Sequence, residues 1–427
     1  MFSDIRISDW IHKLAFALLC VYIASISLGY ISPFLTTLHT ISLRAFIVVA
    51  AISILMRGCF IATGYIKMYT VFMILALISC LYSINTNGSL SSFYGVGICF
   101  IISFCASEVT RSEADIRTVF KVFSIASVIL MIVLIARGDI DLTDEWVYGE
   151  RFGGELMGNA NTFSSIYMFG ASFSIYFIAY GEGGWKKAIY IAAFVVQMLA
   201  LIVAGGRKYI IVTALVLWLI YLFKTDKRNR RHFFKYTVIG IAVFILLTQA
   251  FMNIPFLYYS VGYRFESIIV GDAEDISMIR RAIMIREGIQ GWFERPIFGH
   301  GLDSFKFISI FNVYSHNNYV ELLFDMGLVG LIIYYGYSLL LTYRLFKSKN
   351  TDSVRWILLM LTVAIFFYDY GVVSYDIVIQ QLFLALCSRF LTFKEAENGV
   401  ESAESQAQNA KLHGGIRNSR FPTINRG

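Results

Sequence analysis

Long apolar runs separated by short polar segments dominate the chain. Runs near 11–31, 40–56, 67–84, 93–107, 118–136, 160–181, 187–204, 208–223, 236–252, 319–343, 356–370 and 373–391 each approach the length of a membrane-spanning helix, which takes about 20 apolar residues. The pattern predicts about twelve spans, with 93–107 and 208–223 the shortest. The first run is long enough to span and lacks a small-x-small exit, so it is expected to stay as the first helix. The chain is 57% hydrophobic and 15% charged over 427 residues. A soluble domain carries about 25% charged residues to cover its core, so a soluble fold is excluded. The fold class expected is an all-α polytopic membrane protein, with a long extracytoplasmic loop between helices 9 and 10.

Charge sets the orientation. With the N-terminus in the cytoplasm, inward-facing segments hold 25 of the 36 Lys and Arg residues, as positive-inside bias requires. The run Lys224-Thr-Asp-Lys-Arg-Asn-Arg-Arg-His-Phe-Phe-Lys235 is the strongest inward marker. This topology accounts for the net charge of +7 without a nucleic-acid partner. Residues 1–394 are expected to form the membrane domain and 395–427, rich in Ser, Asn, Gln and Glu, a disordered cytoplasmic tail. The six cysteines lie within or beside apolar runs, with no Cys-x-x-Cys, and read as buried hydrophobes.

Two outward segments are longer than a connection needs, 137–159 and 253–318, and loops of the second one's length are usually functional. Within it, Ile279, Ala282, Ile283, Ile289, Trp292 and Phe293 recur at helical spacing among Arg280, Arg281 and Arg286, which predicts an amphipathic helix at the membrane interface. Outward basic residues are the anomaly. Nine of the eleven are arginines: Arg44, Arg137, Arg151, Arg207, Arg264, Arg280, Arg281, Arg286 and Arg295. Guanidinium stays charged and grips phosphate oxygens in pairs, so the set suggests an anionic, lipid-linked ligand. Snorkelling to headgroups suffices for Arg44 and Arg137. Arg207 sits in the turn Ala204-Gly-Gly-Arg-Lys-Tyr209, where glycines permit close backbone approach to an anion.

The other candidate is Tyr314-Ser-His-Asn-Asn-Tyr-Val-Glu-Leu-Leu-Phe-Asp-Met-Gly327. His316 lies where the long loop re-enters the membrane, followed by Asn317, Asn318, Tyr319 and Glu321. Ionisable groups at that depth are functional candidates, and histidine accepts protons near neutral pH. His300 and Glu321 are the other titratable groups of this region.

These residues resemble the O-antigen polymerase and O-antigen ligase superfamily over roughly 145–345, with its core at 204–345. Pro296-Ile-Phe-Gly-His-Gly-Leu-Asp-Ser-Phe305 and Ser315-His-Asn-Asn-Tyr-Val-Glu321 carry the resemblance, and the ten residues between His316 and Gly327 match the family's H-x10-G pattern. Arg207 resembles the arginine of the family's S/G-G-S-R turn, with Gly206 in place of serine. Arg281 resembles the arginine that opens its interfacial helix; Ile285 stands where the family has an aromatic residue, which leaves Arg280 as an alternative. Arg151-Phe-Gly-Gly-Glu-Leu-Met-Gly-Asn-Ala-Asn161 resembles the R-x-x-G…N-x-N segment.

The resemblance implies a polymerase of the bacterial inner membrane. It would transfer a glycan chain from undecaprenyl pyrophosphate to a lipid-linked repeat unit at the periplasmic face. His316 would be the general base, Arg207 and Arg281 the catalytic cations, and Arg151, Arg280, Asn317, Asn318, Tyr319 and Glu321 the substrate contacts. Pyrophosphate is already an activated leaving group, so neither cofactor nor metal is expected, and a chain-length regulator is a possible partner. A ligase acting on lipid A–core is the alternative within the enzyme class. A flippase is the non-enzyme alternative, weakened by the absence of a two-half repeat and by charge at the outer face instead of the midplane. Asp139-Ile-Asp141 is a weak D-x-D metal pattern.

Overall fold

The computed structural model describes residues 2–140, 152, 160–181, 183–224, 276–348 and 353–396, with scattered positions between 234 and 266. Described residues form helices and no strand. In chain order these are α1 (Phe2–Leu28), α2 (Pro33–Arg57), α3 (Gly64–Cys80), α4 (Thr86–Val109), α5 (Glu113–Ala136), α6 (Ala160–Tyr180), α7 (Trp185–Val203), α8 (Arg207–Lys224), α9 (Ile276–Glu294), the short α10 (Phe305–Ile308), α11 (Asn318–Lys347) and α12 (Ser353–Asp369). A final helix, α13, covers 378–396. The protein is a polytopic, all-helical membrane protein.

Among the described residues seven helices are long and apolar enough to cross a membrane, namely α1 from Ile7, α2, α4, α5, α6, α7 and α11. The expected span 93–107 gains length, since α4 begins at Thr86. Asn85 starts it there by accepting the Gly88 N–H at 3.1 Å, which a hydropathy window cannot register because this first turn is polar. The expected span 373–391 starts later, at 378, because 370–377 is a polar-lined connection. The expected span 236–252 and the tail 397–427 lie largely or wholly outside the described residues.

Helix ends follow local chemistry. Ser32 accepts the Leu35 N–H and Pro33 opens α2, as the first turn favours. Gly58 closes it at φ 70°, a left-handed cap. Ser112 and Asp115 form a capping box on α5. The interior is aromatic where α5, α6 and α13 meet: Phe383 lies 5.0 Å from the rings of both Phe169 and Phe173, and 5.9 Å from Phe123. Among α5, α6 and α7 the fully buried Gln197 accepts from Ser174 Oγ at 2.8 Å and donates to Ser127 Oγ at 3.0 Å. A polar side chain is tolerated in such a core because every bond it needs is internal.

Polar contacts sort the connections into two groups, one at each end of the bundle. At one end Tyr82 donates to Phe298 O at 2.9 Å, Ser83 donates to Leu302 O at 3.1 Å and Asn318 accepts the Ser374 N–H at 2.8 Å. At the other, Arg57 pairs with Glu108, Lys394 with Glu113 at 2.5 Å, and Arg389 donates to Thr110 O at 3.0 Å. This division is the one that alternating crossings demand, and it collects His316, Arg207 and Arg281 at a single end.

Candidate functional site

The site is built around a break in α11. Gly327 has φ 65° and ψ −165° inside the helix, a conformation that only glycine adopts without strain. The preceding segment runs across this break as a strap. Leu328 N–H donates to Pro296 O at 2.9 Å, His300 N–H to Phe324 O at 2.9 Å and Gly301 N–H to Asp325 O at 2.8 Å. The backbone groups that the break releases are thereby satisfied, as the membrane interior requires. Asp325 fixes the far side of the strap, its carboxylate accepting the N–H groups of Asp303, Ser304 and Phe305 at 2.8, 3.0 and 3.0 Å. His300 is committed to the scaffold: its Nε2 lies 2.8 Å from Gly291 O and its ring stacks on Phe324 at 4.5 Å.

His316 lies at the end of this strap, just ahead of α11. Its backbone is left-handed, at φ 56°, which is uncommon for a residue with a side chain and marks a position held by its surroundings. The holders are the polar residues on either side. Glu321 accepts the Ser315 N–H at 2.7 Å. Ser315 Oγ donates to Asn317 O at 2.8 Å, and Asn317 Oδ1 caps α11 by accepting from Tyr319 N at 3.0 Å and Val320 N at 3.2 Å. Asn318 donates to the Tyr335 hydroxyl at 2.8 Å and accepts from Ser374 N and Tyr375 N. Tyr319 donates to Phe366 O at 2.9 Å and stacks on Tyr335 at 4.3 Å. The structure thus places Asn317, Asn318, Tyr319 and Glu321 in the framework beneath His316. The imidazole itself has Tyr314 4.3 Å away, and its Nδ1 is buried with no hydrogen-bond partner among the described residues. Burial, then the charges of Arg281 and Lys208, push its pKa down to about 4, so the ring is neutral at physiological pH.

Arg281 reaches this position because of how α9 docks. Residues 281, 284, 288 and 291 share one helical face. Met284 is buried, and a Cβ on Gly288 would collide with Val320 while one on Gly291 would meet Phe324 Cδ2 at 3.0 Å. Two glycines therefore let α9 lie directly on the first half of α11. The apolar residues that mark α9 in the sequence point elsewhere: Ile279, Ile289 and Phe293 are exposed, forming the side a lipid surface would cover. Arg280 and Arg286 are also exposed, and Arg280 lies 5.6 Å from the Phe311 ring. Of the two arginines left open by the sequence, Arg281 is the one whose charge acts on His316.

Residues 192–335 match the O-antigen ligase family. The matched stretch covers about a third of the chain, running from α7 through the α8 turn and the strap to Tyr335. No curated protein matches the chain.

The α8 turn lies within the matched stretch and completes the site. Gly205 takes φ 62°, and a Cβ on Gly206 would meet Ser164 Oγ at 2.7 Å, so both glycines are required to bring the turn against α6. Arg207 and Lys208 open α8 side by side. Within this turn, Lys208 is the residue whose charge, after that of Arg281, acts on His316. Its Nζ donates to Gly371 O. The signal for it was present in the outward-facing Gly-Gly-Arg-Lys turn, where two cations follow the glycines. Arg151 and Asp141 lie outside the described residues, and Asp139 pairs with Arg137 at 3.1 Å. A neutral base with two cations near enough to depress its pKa is suited to taking a proton from a hydroxyl while an anion departs nearby.

Proposed function

We propose that this protein is an O-antigen polymerase. It transfers a glycan chain from undecaprenyl pyrophosphate onto a lipid-linked repeat unit at the periplasmic face of the inner membrane. His316 takes the proton of the acceptor hydroxyl as its oxygen bonds the anomeric carbon of the donor. The bond from that carbon to the pyrophosphate oxygen breaks, and the lipid pyrophosphate leaves with the electron pair. Arg281 and Arg207 stabilise the charge that develops on it, with Arg151 and Arg280 as outer contacts. The leaving group is already activated, so the step needs neither metal nor cofactor.

The observation that carries this reading is the convergence on one half-buried, neutral histidine of cations from two separate elements, Arg281 from α9 and Lys208, next to Arg207, from α8. A ligase that delivers the glycan to lipid A–core would use the same geometry, because the two reactions differ only in the acceptor. The experiment is a lipopolysaccharide gel of a strain lacking the protein, complemented with wild type or His316→Ala. Core plus one repeat unit in the null strain, extended to a ladder by wild type but not by the variant, supports the polymerase. Bare core in the null strain identifies a ligase. An undiminished ladder with His316→Ala overturns the general-base assignment.

A further inference from the structure

The connection 370–377 and the end of α12 lie beyond the stretch that matches the O-antigen ligase family, yet they bond Lys208, Asn318 and Tyr335 within it. Gly371 O accepts from Lys208 Nζ, and a Cβ on Gly371 would sit 3.0 Å from Lys208 Cδ. The ammonium lies 4.8 Å from the Tyr209 ring centroid and 5.9 Å from that of Tyr368. Asp369 follows Tyr368 and is fully buried. Its Oδ1 accepts from Ser374 Oγ at 2.7 Å and Gln380 Nε2 at 3.0 Å, and its Oδ2 accepts from the Tyr335 hydroxyl at 2.8 Å. That hydroxyl accepts from Asn318, two residues beyond His316. Asp369, through Ser374, thus fixes the connection whose Gly371 carbonyl holds the Lys208 ammonium.

Burying a carboxylate is costly unless its oxygens find partners, and the three donors to Asp369 supply them while ordering this connection. Lysine serves as a point-charge phosphate binder where its stem is held, and here two tyrosine rings and the Gly371 carbonyl hold it. We propose that Lys208 binds the diphosphate of the lipid-linked donor together with Arg281, and that Asp369 is a positioning residue that keeps Lys208 aimed at that anion. This rests on the reading of the site as one that takes a lipid-linked diphosphate.

The test uses the full-length protein in lipid nanodiscs, with farnesyl diphosphate as the probe. Lys208→Met is expected to weaken binding by about tenfold or more, and Lys208→Arg to restore it to within roughly threefold of wild type. Asp369→Asn, which keeps the side-chain shape but turns one acceptor oxygen into a donor, is expected to weaken binding about fivefold in the wild-type background and to add nothing to Lys208→Met, because coupled residues are non-additive. Wild-type affinity in Lys208→Met, no binding by the wild-type protein, or an Asp369→Asn loss that multiplies with that of Lys208→Met each overturns the proposal. Should Lys208→Met fail to fold, Lys208→Gln repeats the comparison. A wild-type protein that binds the probe but transfers no glycan sinks the functional reading alone.

Discussion

Gly299 and Gly327 face each other where the strap crosses the break in α11, at φ 70° and 65°. A Cβ on Gly299 would come within 2.6 Å of the Gly327 nitrogen, and one on Gly327 within 2.6 Å of the Phe298 nitrogen. Backbone stands at backbone distance on both sides, so neither position can admit a methyl group by moving a side chain aside. The spacing between His316 and Gly327 thereby acquires a physical meaning: the glycine is where the strap leading to His316 locks onto α11.

Gly327→Ala should therefore cost roughly 3 kcal/mol or more, from the left-handed strain together with the clash. Gly97→Ala is the control, because a Cβ there meets nothing within 4 Å and Gly97 lies inside α4. It should be neutral or stabilising by about 0.5–1 kcal/mol. Thermal unfolding of the two variants in detergent separates them, and equal melting temperatures would remove the lock.

Much of the bundle is legible in the sequence because apolar length reports directly on crossing a membrane, and His316, Arg207 and Arg281 stand out because charge at the outer end is anomalous. Three features are not legible. The docking face of α9 consists of Gly288, Gly291 and Met284, and glycine gives no apolar signal, so the exposed Ile279 and Ile289 look like the packing face when they are not. Asn317 and Glu321 read as ligand contacts, since a polar residue in an apolar run announces itself without saying whether its partner is internal. Lys208 and Asp369 are 161 residues apart, and no pattern along the chain joins them.

The depressed pKa of His316, about 4 through burial and the charges of Arg281 and Lys208, predicts the pH behaviour. The neutral base should persist down to about pH 4, so the transfer rate should show no inflection near the ordinary histidine value of about 6.5 and should fall only as pH drops through about 4. In the unfolded chain the same histidine binds its proton at about 6.5. Between these values the unfolded state holds more protons, and stability rises with pH across that window and is complete above it. His316→Gln should flatten this segment of the stability curve, which unfolding measured from pH 4 to 7 would reveal. An unchanged slope would count against the half-buried, neutral ring.

Arg280 and Arg281 are neighbours with different surroundings, one exposed beside Phe311 and one acting on His316. Removing a fixed donor that stabilises developing negative charge costs about 10²–10³ in rate. Arg281→Gln should therefore abolish the polysaccharide ladder, and it should also raise the pKa of His316 by removing a facing charge. Arg280→Gln should leave the rate within about threefold of wild type, as for a surface charge. A reversed order of the two variants in the same transfer assay would mean that α9 presents its other face during the reaction.

Glu321 is the residue that separates a framework role from a chemical one. Its carboxylate accepts the buried Ser315 N–H at 2.7 Å, one residue before His316, and glutamine carries an oxygen able to accept the same bond. Glu321→Gln should accordingly retain transfer to within about threefold. Glu321→Ala leaves a buried donor unsatisfied, at about 1–3 kcal/mol, and frees the left-handed turn that aims the imidazole; misplacing a catalytic group by about 1 Å costs about 10²-fold in rate. If Glu321 were itself the proton acceptor, both substitutions would be equally inactive, since glutamine cannot take the proton. Transfer by the two variants beside His316→Ala thus decides which side chain is the base, and activity in Glu321→Gln with loss in the other two is the outcome the geometry requires.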